Sequence, residues 1–355
     1  MSEQDLALTF PYTATDLTDQ INRVPNLYGL LNEINLFPTE GSISTIVEMR
    51  YEDGVLRVLP AKERGAPATP MAERVGKTIF LECPHFPSMD LITPKDLQNL
   101  TVINARTKRP ITLEDEVTKR LINIRGTHAI TREWVRSSAL QGVIKDGNNV
   151  TIYDLYAAFA INKNTVFFNL SDAATDITAK CDAIWQAITT NLKGEVMTGI
   201  ECIVDPVFFQ AFVSHAKVLQ FYVNAEQALA MANLLDALRR RESKGNMWGR
   251  EFLFGRILFR EYYGTAPIKS GGSLVSTPFW ASGTGTAYPV GTRDMFRTYD
   301  APANDIRFVN TMGQEIYISP EILEHGQGVE FKSESNPLAV CRRPEAVVQL
   351  SSAAS

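Results

Sequence analysis

One long amphipathic helix dominates the sequence and spans residues 112–142. Thr112 suits an N-cap, acidic side chains fill the turn after it, and Gly142 supplies a stop signal. Between these ends, apolar or small residues recur every three or four positions, at Leu113, Val117, Leu121, Ile124, His128, Thr131, Val135 and Ala139. A helix of roughly 30 residues is about 45 Å long. Because that length exceeds the interior of a small domain, we predict a spine on which other elements pack.

The opposite face of this spine helix is predicted to be basic. It carries Lys119, Arg120, Arg125, Arg132 and Arg136. We expect this face, at Arg125, Arg132 and Arg136, to contact another molecule, which could be DNA, a scaffold or the acidic arm of a neighbouring copy. Contacts with protein are the favoured alternative.

Residues 45–83 form a second unusual segment. An alternating arm at 47–51 and a return arm at 78–83 predict two strands, and Asp53-Gly54 is a hairpin-type turn signal. The tip, residues 60–77, has three prolines, two glycines and almost no large apolar side chain. A two-stranded ribbon has too little apolar surface to be stable alone, and a long ordered loop is usually functional. We therefore predict that the ribbon lies on a neighbouring copy of the same chain.

Composition limits the class of protein. The chain has 355 residues, of which 45% are hydrophobic and 21% charged, as expected for a folded protein with real cores. No apolar run approaches the roughly 18 residues of a membrane span, and residues 1–5 lack the basic and apolar regions of a secretory signal. Four scattered cysteines are predicted to be reduced core thiols, at Cys83, Cys181, Cys202 and Cys341.

The formal net charge of −5 lies entirely in residues 1–40, which hold six acidic residues and one basic residue. The remainder is neutral, with 34 acidic and 34 basic residues. A protein that neutralises nucleic-acid phosphates shows a basic stripe. The nearest candidate is residues 239–241, which we interpret as cations at a helix C-terminus. Residues 1–40 could form an extended arm that docks on another surface, with a short helix near 27–35.

The rest of the chain predicts an α+β protein. Helices are expected at 177–192, after the cap signal Asp205-Pro206, and at 229–238. Strands are expected at 200–204, 252–259, 306–310, 315–319 and 329–333, with a closing strand pair at 338–341 and 346–350. Residues 84–94 and 264–291 are expected to be loops.

No group of residues predicts catalysis or a cofactor. Gly283 and Gly285 begin like a dinucleotide-binding loop, but the third glycine and the strand-before, helix-after context are missing. Cys83 and His85 could be half of a metal site, but no partner pair lies at ligand spacing. His128, on the apolar stripe of the spine helix, is interpreted as a packed core histidine. We therefore predict that the protein is not an enzyme and uses no cofactor or metal.

Several short motifs, in their order along the chain, resemble those of one protein family. They are Asp53-Gly-Val-Leu56, Arg64-Gly-Ala-Pro67, Pro84-His-Phe-Pro87, Ala139-Leu-Gln-Gly142, Ala301-Pro302-Ala303, Ser335-Asn-Pro-Leu338 and Arg343-Pro344. Together with the acidic arm, the ribbon and the spine helix, they resemble the tailed-phage major capsid proteins of the lambda-type capsid protein E family. That family has the Hong Kong 97-type capsid fold. The resemblance covers nearly the whole chain.

The resemblance implies a division of the chain by position. Residues 1–40 would be an N-terminal arm, and residues 41–90 an extended hairpin loop that reaches over an adjacent subunit. Residues 91–174 would form a peripheral domain with the spine helix, 175–330 an axial domain, and 331–355 the return to the peripheral domain. The expected function is that of a major capsid protein whose pentamers and hexamers form an icosahedral head shell around packaged double-stranded DNA.

The resemblance also implies partners and contacts. Expected partners are further copies of the chain, a portal, a decoration protein and a separate scaffolding protein, with DNA enclosed without sequence-specific binding and without membrane contact. The expected location is the virion, and the host cytoplasm during assembly. Crosslinking through a Lys–Asn isopeptide bond, which some relatives use, is not predicted. The residues expected at contacts between subunits are Lys62, Glu63, Arg64, Gly65, Pro67, Arg74, Lys77, Arg125, Arg132, Arg136, Asp16 and Asp19.

Three alternatives stay open at this point. An encapsulin, which is a cellular compartment of the same fold, would carry a groove for cargo peptides. A soluble enzyme would use the Gly-rich stretch at 283–291 to bind its ligand. A smaller accessory binding protein is the third alternative. Microscopy of the expressed protein, which shows either shells or a monomer, separates the shell proteins from the other two.

Overall fold

The computed structural model describes residues 12–26, 28–52, 76–97, 101–103, 108–110, 113–193, 195–221, 249–270 and 272–354. The chain divides into two compact units. The first unit contains Met1–Val47, Leu81–Val135 and Thr298–Ala339, and the second contains Glu48–Phe80, Arg136–Arg297 and Val340–Ser355. Helices and strands occur together in both units, which confirms the predicted α+β class.

The elements alternate along the chain. The helices are α1 (Ala14–Arg23), α2 (Leu30–Glu33), α3 (Pro94–Leu97), α4 (Leu113–Leu140), α5 (Leu155–Phe159), α6 (Ile177–Leu192) and α7 (Pro206–Val213). The strands are β1 (Thr39–Gly41), β2 (Ile46–Glu52), β3 (Gly76–Glu82), β4 (Phe86–Ile92), β5 (Thr101–Ile103), β6 (Lys108–Pro110), β7 (Val143–Lys145), β8 (Thr151–Asp154), β9 (Asn164–Phe167), β10 (Gly199–Val204), β11 (Glu251–Phe254), β12 (Ile257–Glu261), β13 (Thr265–Ser270), β14 (Ser273–Pro278), β15 (Thr284–Val290), β16 (Phe296–Asp300), β17 (Tyr317–Ile322), β18 (Val329–Ser335), β19 (Pro337–Cys341) and β20 (Val348–Ser351).

Helix α4 confirms the predicted spine and is 28 residues long. Its first half is amphipathic and contributes Val117, Leu121 and Ile124 to the main core cluster of the first unit. From Arg132 to Leu140, by contrast, every residue is buried. This C-terminal third of the helix is therefore covered on all sides, and its charged residues are interior groups.

Helix α1 was not predicted, because residues 1–40 were interpreted as an extended arm with one short helix. A capping box between Thr13 and Asp16 starts α1 and satisfies two backbone N–H groups. Leu17 and Ile21 are completely buried in the main core cluster of the first unit, together with Ile318 of β17. Apolar residues at i and i+4 thus dock α1 against a sheet of its own subunit. The short helix predicted near 27–35 is confirmed as α2.

The first unit contains an antiparallel sheet in the order β17-β18-β4. Strand β4 corrects the prediction of a loop at 84–94. Its outward positions hold Pro87, Met89 and Leu91, which are exposed, whereas Ser88 and Asp90 lie on the other face. The polarity of β4 is thus partly reversed relative to an ordinary amphipathic strand, which explains why the pattern was missed.

The second unit contains a six-stranded mixed sheet in the order β11-β12-β10-β15-β20-β9. Helix α7 begins at the predicted Asp205-Pro206 cap, where the Asp205 carboxylate accepts a hydrogen bond from Val207 N at 2.9 Å. Its Phe212 ring lies 4.3 Å between centroids from Phe259 of β12 and stacks on Phe208 of the same helix. The Phe208 ring packs edge-on against Phe168, which follows β9. An aromatic core therefore holds this unit together.

Strands β13, β14 and β15 correct the predicted loop at 264–291. Strand β15 lies between β10 and β20 despite its small and turn-forming residues. A Cβ on Gly285 would lie 2.5 Å from Val204 Cγ1, so only glycine fits this close approach of two strands. Pro289 is tolerated because the pairing with β20 covers Thr284–Ala287 and ends before it.

Two further strand predictions were wrong. Residues 306–310, expected as a strand, contain a 3₁₀ helix at Ile306–Phe308, which begins when the Asp305 side chain accepts a hydrogen bond from Arg307 N. The closing strands β19 and β20 exist but do not pair with each other, since β19 lies in a sheet with β1 and β16.

Strands β2 and β3 form the predicted two-stranded ribbon. Its turn and tip, and the helix predicted at 229–238, lie outside the described residues.

Candidate functional site

The chemically most distinctive part of the first unit is a buried ion pair between α4 and the end of β16. Arg132 Nη1 donates to Asp300 Oδ1 at 2.6 Å, and Arg132 Nη2 donates to Asp300 Oδ2 at 3.1 Å. Both side chains are 1% exposed. Burial lowers the pKa of the Arg132 guanidinium, but Asp300 and Glu315 raise it more, so the net shift is upward. The arginine therefore stays charged and holds the two elements together.

Arg125 and Arg136 are also buried. Arg125 Nη2 lies 2.7 Å from Glu315 Oε2, within the first unit. Because Arg125, His128 and Arg132 are spaced three and four residues apart, they share one face of α4. These three arginines are therefore interior groups of the chain. Their contact with a neighbouring subunit stays a prediction, and burial within one chain argues against it.

His128 lies between the two arginines, as the core histidine that the sequence predicted. Its Nδ1 lies 2.8 Å from Ser335 Oγ and its Nε2 lies 3.1 Å from Ser333 Oγ, so both ring nitrogens have partners on β18. Burial, and then the charges of Arg132 and Arg125, lower the pKa of His128 to about 4. The imidazole is therefore neutral at neutral pH.

The two acidic residues predicted at subunit contacts are exposed on α1. Asp16 forms the capping box with Thr13, and the hydrogen bonds from Thr13 lower the pKa of its carboxyl. Asp19 lines an open groove of about 470 Å³ in the first unit, together with Arg23, Asp300 and Glu315. Most of the residues that line this groove are polar or charged, and the groove is wide open to solvent, unlike the enclosed cavities that hold small ligands.

The remaining predicted contact residues belong to the ribbon. Lys77 lies on β3. The others lie outside the described residues, namely Lys62, Glu63, Arg64, Gly65, Pro67 and Arg74.

The four cysteines and the Gly283 backbone have structural roles in the fold. All four cysteines are free and buried, as predicted, and burial raises the pKa of Cys83, Cys181 and Cys341 to about 12. Such thiols are inert because the thiolate is the nucleophile. Gly283 of the Gly-rich stretch donates its N–H to Asp205 Oδ2 at 3.0 Å, so this backbone group is used in folding. In the described ranges, no group of His, Cys, Asp or Glu could hold a metal ion.

Large apolar side chains are instead exposed at many separate places. In the first unit they include Met89, Ile306, Val309 and Met312, and in the second unit Val196, Leu253, Tyr263 and Leu274. Contiguous patches of exposed apolar side chains mark contacts with other macromolecules, whereas single exposed ones are ordinary on a protein surface. Sequence reasoning missed them, because an apolar residue in a strand or turn is ordinarily assigned to a core.

No helix among the described residues is both long and apolar enough to cross a membrane.

Comparison with known families identifies the class of protein to which the chain belongs. The family model for phage major capsid protein E matches residues 13–352. The chain belongs to this family. The matched range includes α1, the ribbon, the spine helix α4 and the closing strand β20. The resemblance inferred from the motifs is thereby confirmed.

Two curated relatives of this capsid protein are similar over nearly their whole length. The major capsid protein of Salmonella phage Felix O1 is 29% identical over 351 residues, which cover 94% of this chain and 95% of the relative. The major capsid protein of Pseudomonas phage KPP10 is 30% identical over 350 residues, with the same coverage of both chains.

Solved structures show the same fold. A protein of an E. coli CFT073 prophage, assigned as a capsid protein, aligns with a TM-score of 0.57 and 13% identity over 96% of this chain and 99% of its own. A phage-related protein from Bordetella bronchiseptica RB50 aligns with a TM-score of 0.51 and 10% identity, over 96% of this chain and 97% of its own. The Hong Kong 97-type fold expected from the sequence is thus confirmed.

The chain is therefore a major capsid protein of the tailed-phage type and a component of the virion. Its copies assemble into a capsid shell. The encapsulin, the soluble enzyme and the small accessory binding protein are not favoured, since both curated relatives are phage major capsid proteins.

Proposed function

We propose that copies of this capsid protein form pentamers and hexamers that close into an icosahedral head shell around packaged double-stranded DNA. The family match over residues 13–352 carries this proposal. The dispersed exposed apolar side chains support it, because a shell is held by many repeated heterologous contacts rather than by one tight site. The neutral charge of residues 41–355 suits a container that must not hold its DNA irreversibly.

The domain assignment follows the sequence. Residues 91–174 and 331–355 would form the peripheral domain, and residues 175–330 the axial domain at the capsomer centres. Residues 1–40 would be the N-terminal arm, and residues 41–90 the extended loop. Helix α7 and strands β10, β11, β12 and β15 support an axial body, since they lie within residues 175–330 and the Phe212 ring packs on rings of β11 and β12. The other two strands of this sheet, β9 and β20, come from the ranges proposed for the peripheral domain.

The ribbon is proposed to hold an adjacent subunit through its polar, Pro-rich tip. Its two paired strands support this, because a two-stranded ribbon is marginally stable without a surface to lie on. Asp16 and Asp19 are proposed to join these contacts, and their exposure on α1 is consistent with such a role.

The proposed partners are a scaffolding protein separate from this chain, a portal and a decoration protein, with assembly in the host cytoplasm. The protein is proposed to act without catalysis, cofactors or membrane contact. Its raised thiol pKa values support a structural role, since an enzyme of the thiol class would need a lowered pKa.

Electron microscopy of the expressed protein, alone and with a candidate scaffolding protein from the same phage, tests the proposal. Closed shells or ring-shaped capsomers are expected. A well-behaved monomer that assembles under neither condition would contradict it. Sedimentation velocity on the same samples separates capsomers from non-specific aggregates, because capsomers give discrete boundaries.

A further inference from the structure

Strand β14 in the second unit is left uncovered by its own chain. The neighbouring strand β13 buries Ala266 and Ile268, whereas every residue of β14 is exposed except the half-buried Thr277. Within the described part of the chain, β14 pairs with β13 alone. Its other edge therefore presents backbone N–H and C=O groups to solvent, and such an edge is a template for pairing with another strand.

Both faces of β14 carry an exposed apolar side chain. The register places Val275 opposite Ile268 and Leu274 opposite Lys269, so Leu274 and Val275 point to opposite faces of the hairpin. Leu274 is 75% exposed and Val275 is 49% exposed. The strand has no charged residue, and its proline, Pro278, stands at the very end. Soluble proteins usually protect an edge with a lysine or an internal proline, and β14 has neither.

The hairpin is held at a fixed position by its base and by β13. Lys269 N donates to Gly147 O at 3.1 Å, and Phe279 N donates to Gly264 O at 3.2 Å. The Phe279 ring stacks on Tyr262, with 5.4 Å between centroids. An edge fixed in this way loses little conformational entropy when another strand binds to it.

We propose that the free edge of β14 pairs with a strand of a second copy of this chain during shell assembly. The proposal rests on the proposed function. A six-residue strand is about 20 Å long, and pairing along it buries far less than the roughly 1,200 Å² of a stable binary complex. A separate partner could not be held by this edge alone, whereas copies in a shell are joined by many contacts at once. The apolar, uncharged character of β14 also suits an interface between identical subunits.

Thiol labelling tests the proposal, because the chain's four cysteines are all buried. The variant Ser276→Cys places an accessible thiol in the middle of β14. We expect the thiol of this variant to react with an added maleimide at least about tenfold more slowly in assembled shells than in free subunits. In shells the paired strand would expose the thiol only by local opening. The control variant Thr189→Cys, on an exposed position of α6, reports any general slowing in particles.

A second pair of variants tests assembly directly. Leu274→Lys combined with Val275→Lys adds charge to an edge that buries little, so the subunit should stay folded while shell yield falls about tenfold or more. Thr189→Lys is the matched control and should assemble normally. If the double variant unfolds, the labelling experiment decides whether β14 is covered, through the ratio of the thiol reaction rates in free subunits and in shells.

Three outcomes would overturn the inference. One is wild-type shell yield from the folded double variant, and another is protection of the Ser276→Cys thiol no greater than that of the control. The third is protection that arises only when a different protein is added, which would assign the edge to that protein. If the wild-type chain forms no shells at all, the proposed function itself fails. If shells form but the Ser276→Cys thiol stays fully reactive in them, only the proposed strand pairing is wrong.

Discussion

Arg132 and Asp300 form a two-pronged buried ion pair across 168 positions of sequence. One residue lies on the spine helix and the other at the end of β16, and both belong to the first unit. Thr39 Oγ1 accepts a further hydrogen bond from Arg132 Nη2 at 3.3 Å. A buried charge pair of this kind costs much to break, because removing one partner leaves the other charged and desolvated.

Replacing Asp300 should therefore destabilise the first unit strongly. Asp300→Asn keeps the shape but removes the charge that balances Arg132, and we expect the free energy of unfolding to fall by about 3–5 kcal/mol. Urea denaturation followed by circular dichroism measures the change. The control is Asp294→Asn, because Asp294 pairs with Arg297 at an exposed position. A surface pair contributes at most about 1 kcal/mol. Equal effects of the two substitutions would refute the assignment of Arg132–Asp300 as a structural pair.

His128 should make the stability of the first unit depend on pH. Burial and the two neighbouring arginines lower its pKa from 6.5 to about 4 in the folded chain. Between these two values the unfolded chain binds more protons than the folded chain, so the free energy of unfolding falls as the pH falls. The full effect is about 3 kcal/mol below pH 4, and it is absent above the ordinary pKa of histidine.

Chemical denaturation at a series of pH values from neutral to about 4 measures this dependence. The variant His128→Gln, which has no group that titrates in this range, should flatten the slope. His325→Asn is the control, since His325 lies exposed in a turn with a left-handed backbone that asparagine tolerates. An unchanged slope in His128→Gln would show that other groups cause the dependence.

Helix α1 should be a stable part of its own subunit. Leu17 is completely buried in the core cluster with Ile318 and Phe331, so Leu17→Ala should lower the free energy of unfolding by about 2–5 kcal/mol. Gln20→Ala, at an exposed position of the same helix, should change it by less than about 0.5 kcal/mol. The rate of hydrogen exchange of the amides in α1 should rise in Leu17→Ala and stay unchanged in Gln20→Ala. Rapid exchange in the wild-type subunit would show that α1 is bound only in the shell.

Deleting residues 62–77 should separate folding from assembly. The segment has few apolar residues to lose, so the truncated subunit should keep its circular dichroism spectrum and unfolding midpoint. Shell closure should be lost, because the ribbon could no longer reach a neighbouring subunit. Electron microscopy and sedimentation velocity measure the second effect. If the truncated chain unfolds, the segment is part of the subunit's own core and its proposed role is wrong.

Local signals carried much of the correct prediction. The spine helix α4 was predictable because apolar spacing, an acidic first turn and a glycine stop all agree over 28 residues. The helix start at Asp205-Pro206 and the buried cysteines were predictable for the same reason, since each depends on chemistry within a few residues. The family was also predictable, because the order of weak motifs along a chain is a property of the sequence itself.

The errors arose where a distant segment decides the environment. Gly283, just before strand β15, and Gly285, within it, are both turn signals. Strand β15 is nevertheless a central strand, and Val204 of β10 lies too close to position 285 for any side chain there. Strand β4 was missed because its exposed positions are apolar. In both cases a neighbour that is remote in sequence overrides the local preference.

By itself, the sequence determined the α+β class, the spine helix, the paired ribbon and the capsid family, because these depend on periodicity and on motif order. Only the tertiary structure decided that Arg125, Arg132 and Arg136 of α4 are interior. A charged residue is affordable inside a protein only when its partner is placed beside it, and Asp300 and Glu315 come from segments more than 160 positions away. Hydrophobic periodicity records which face of a helix is apolar, but it does not record whether another segment covers the polar face.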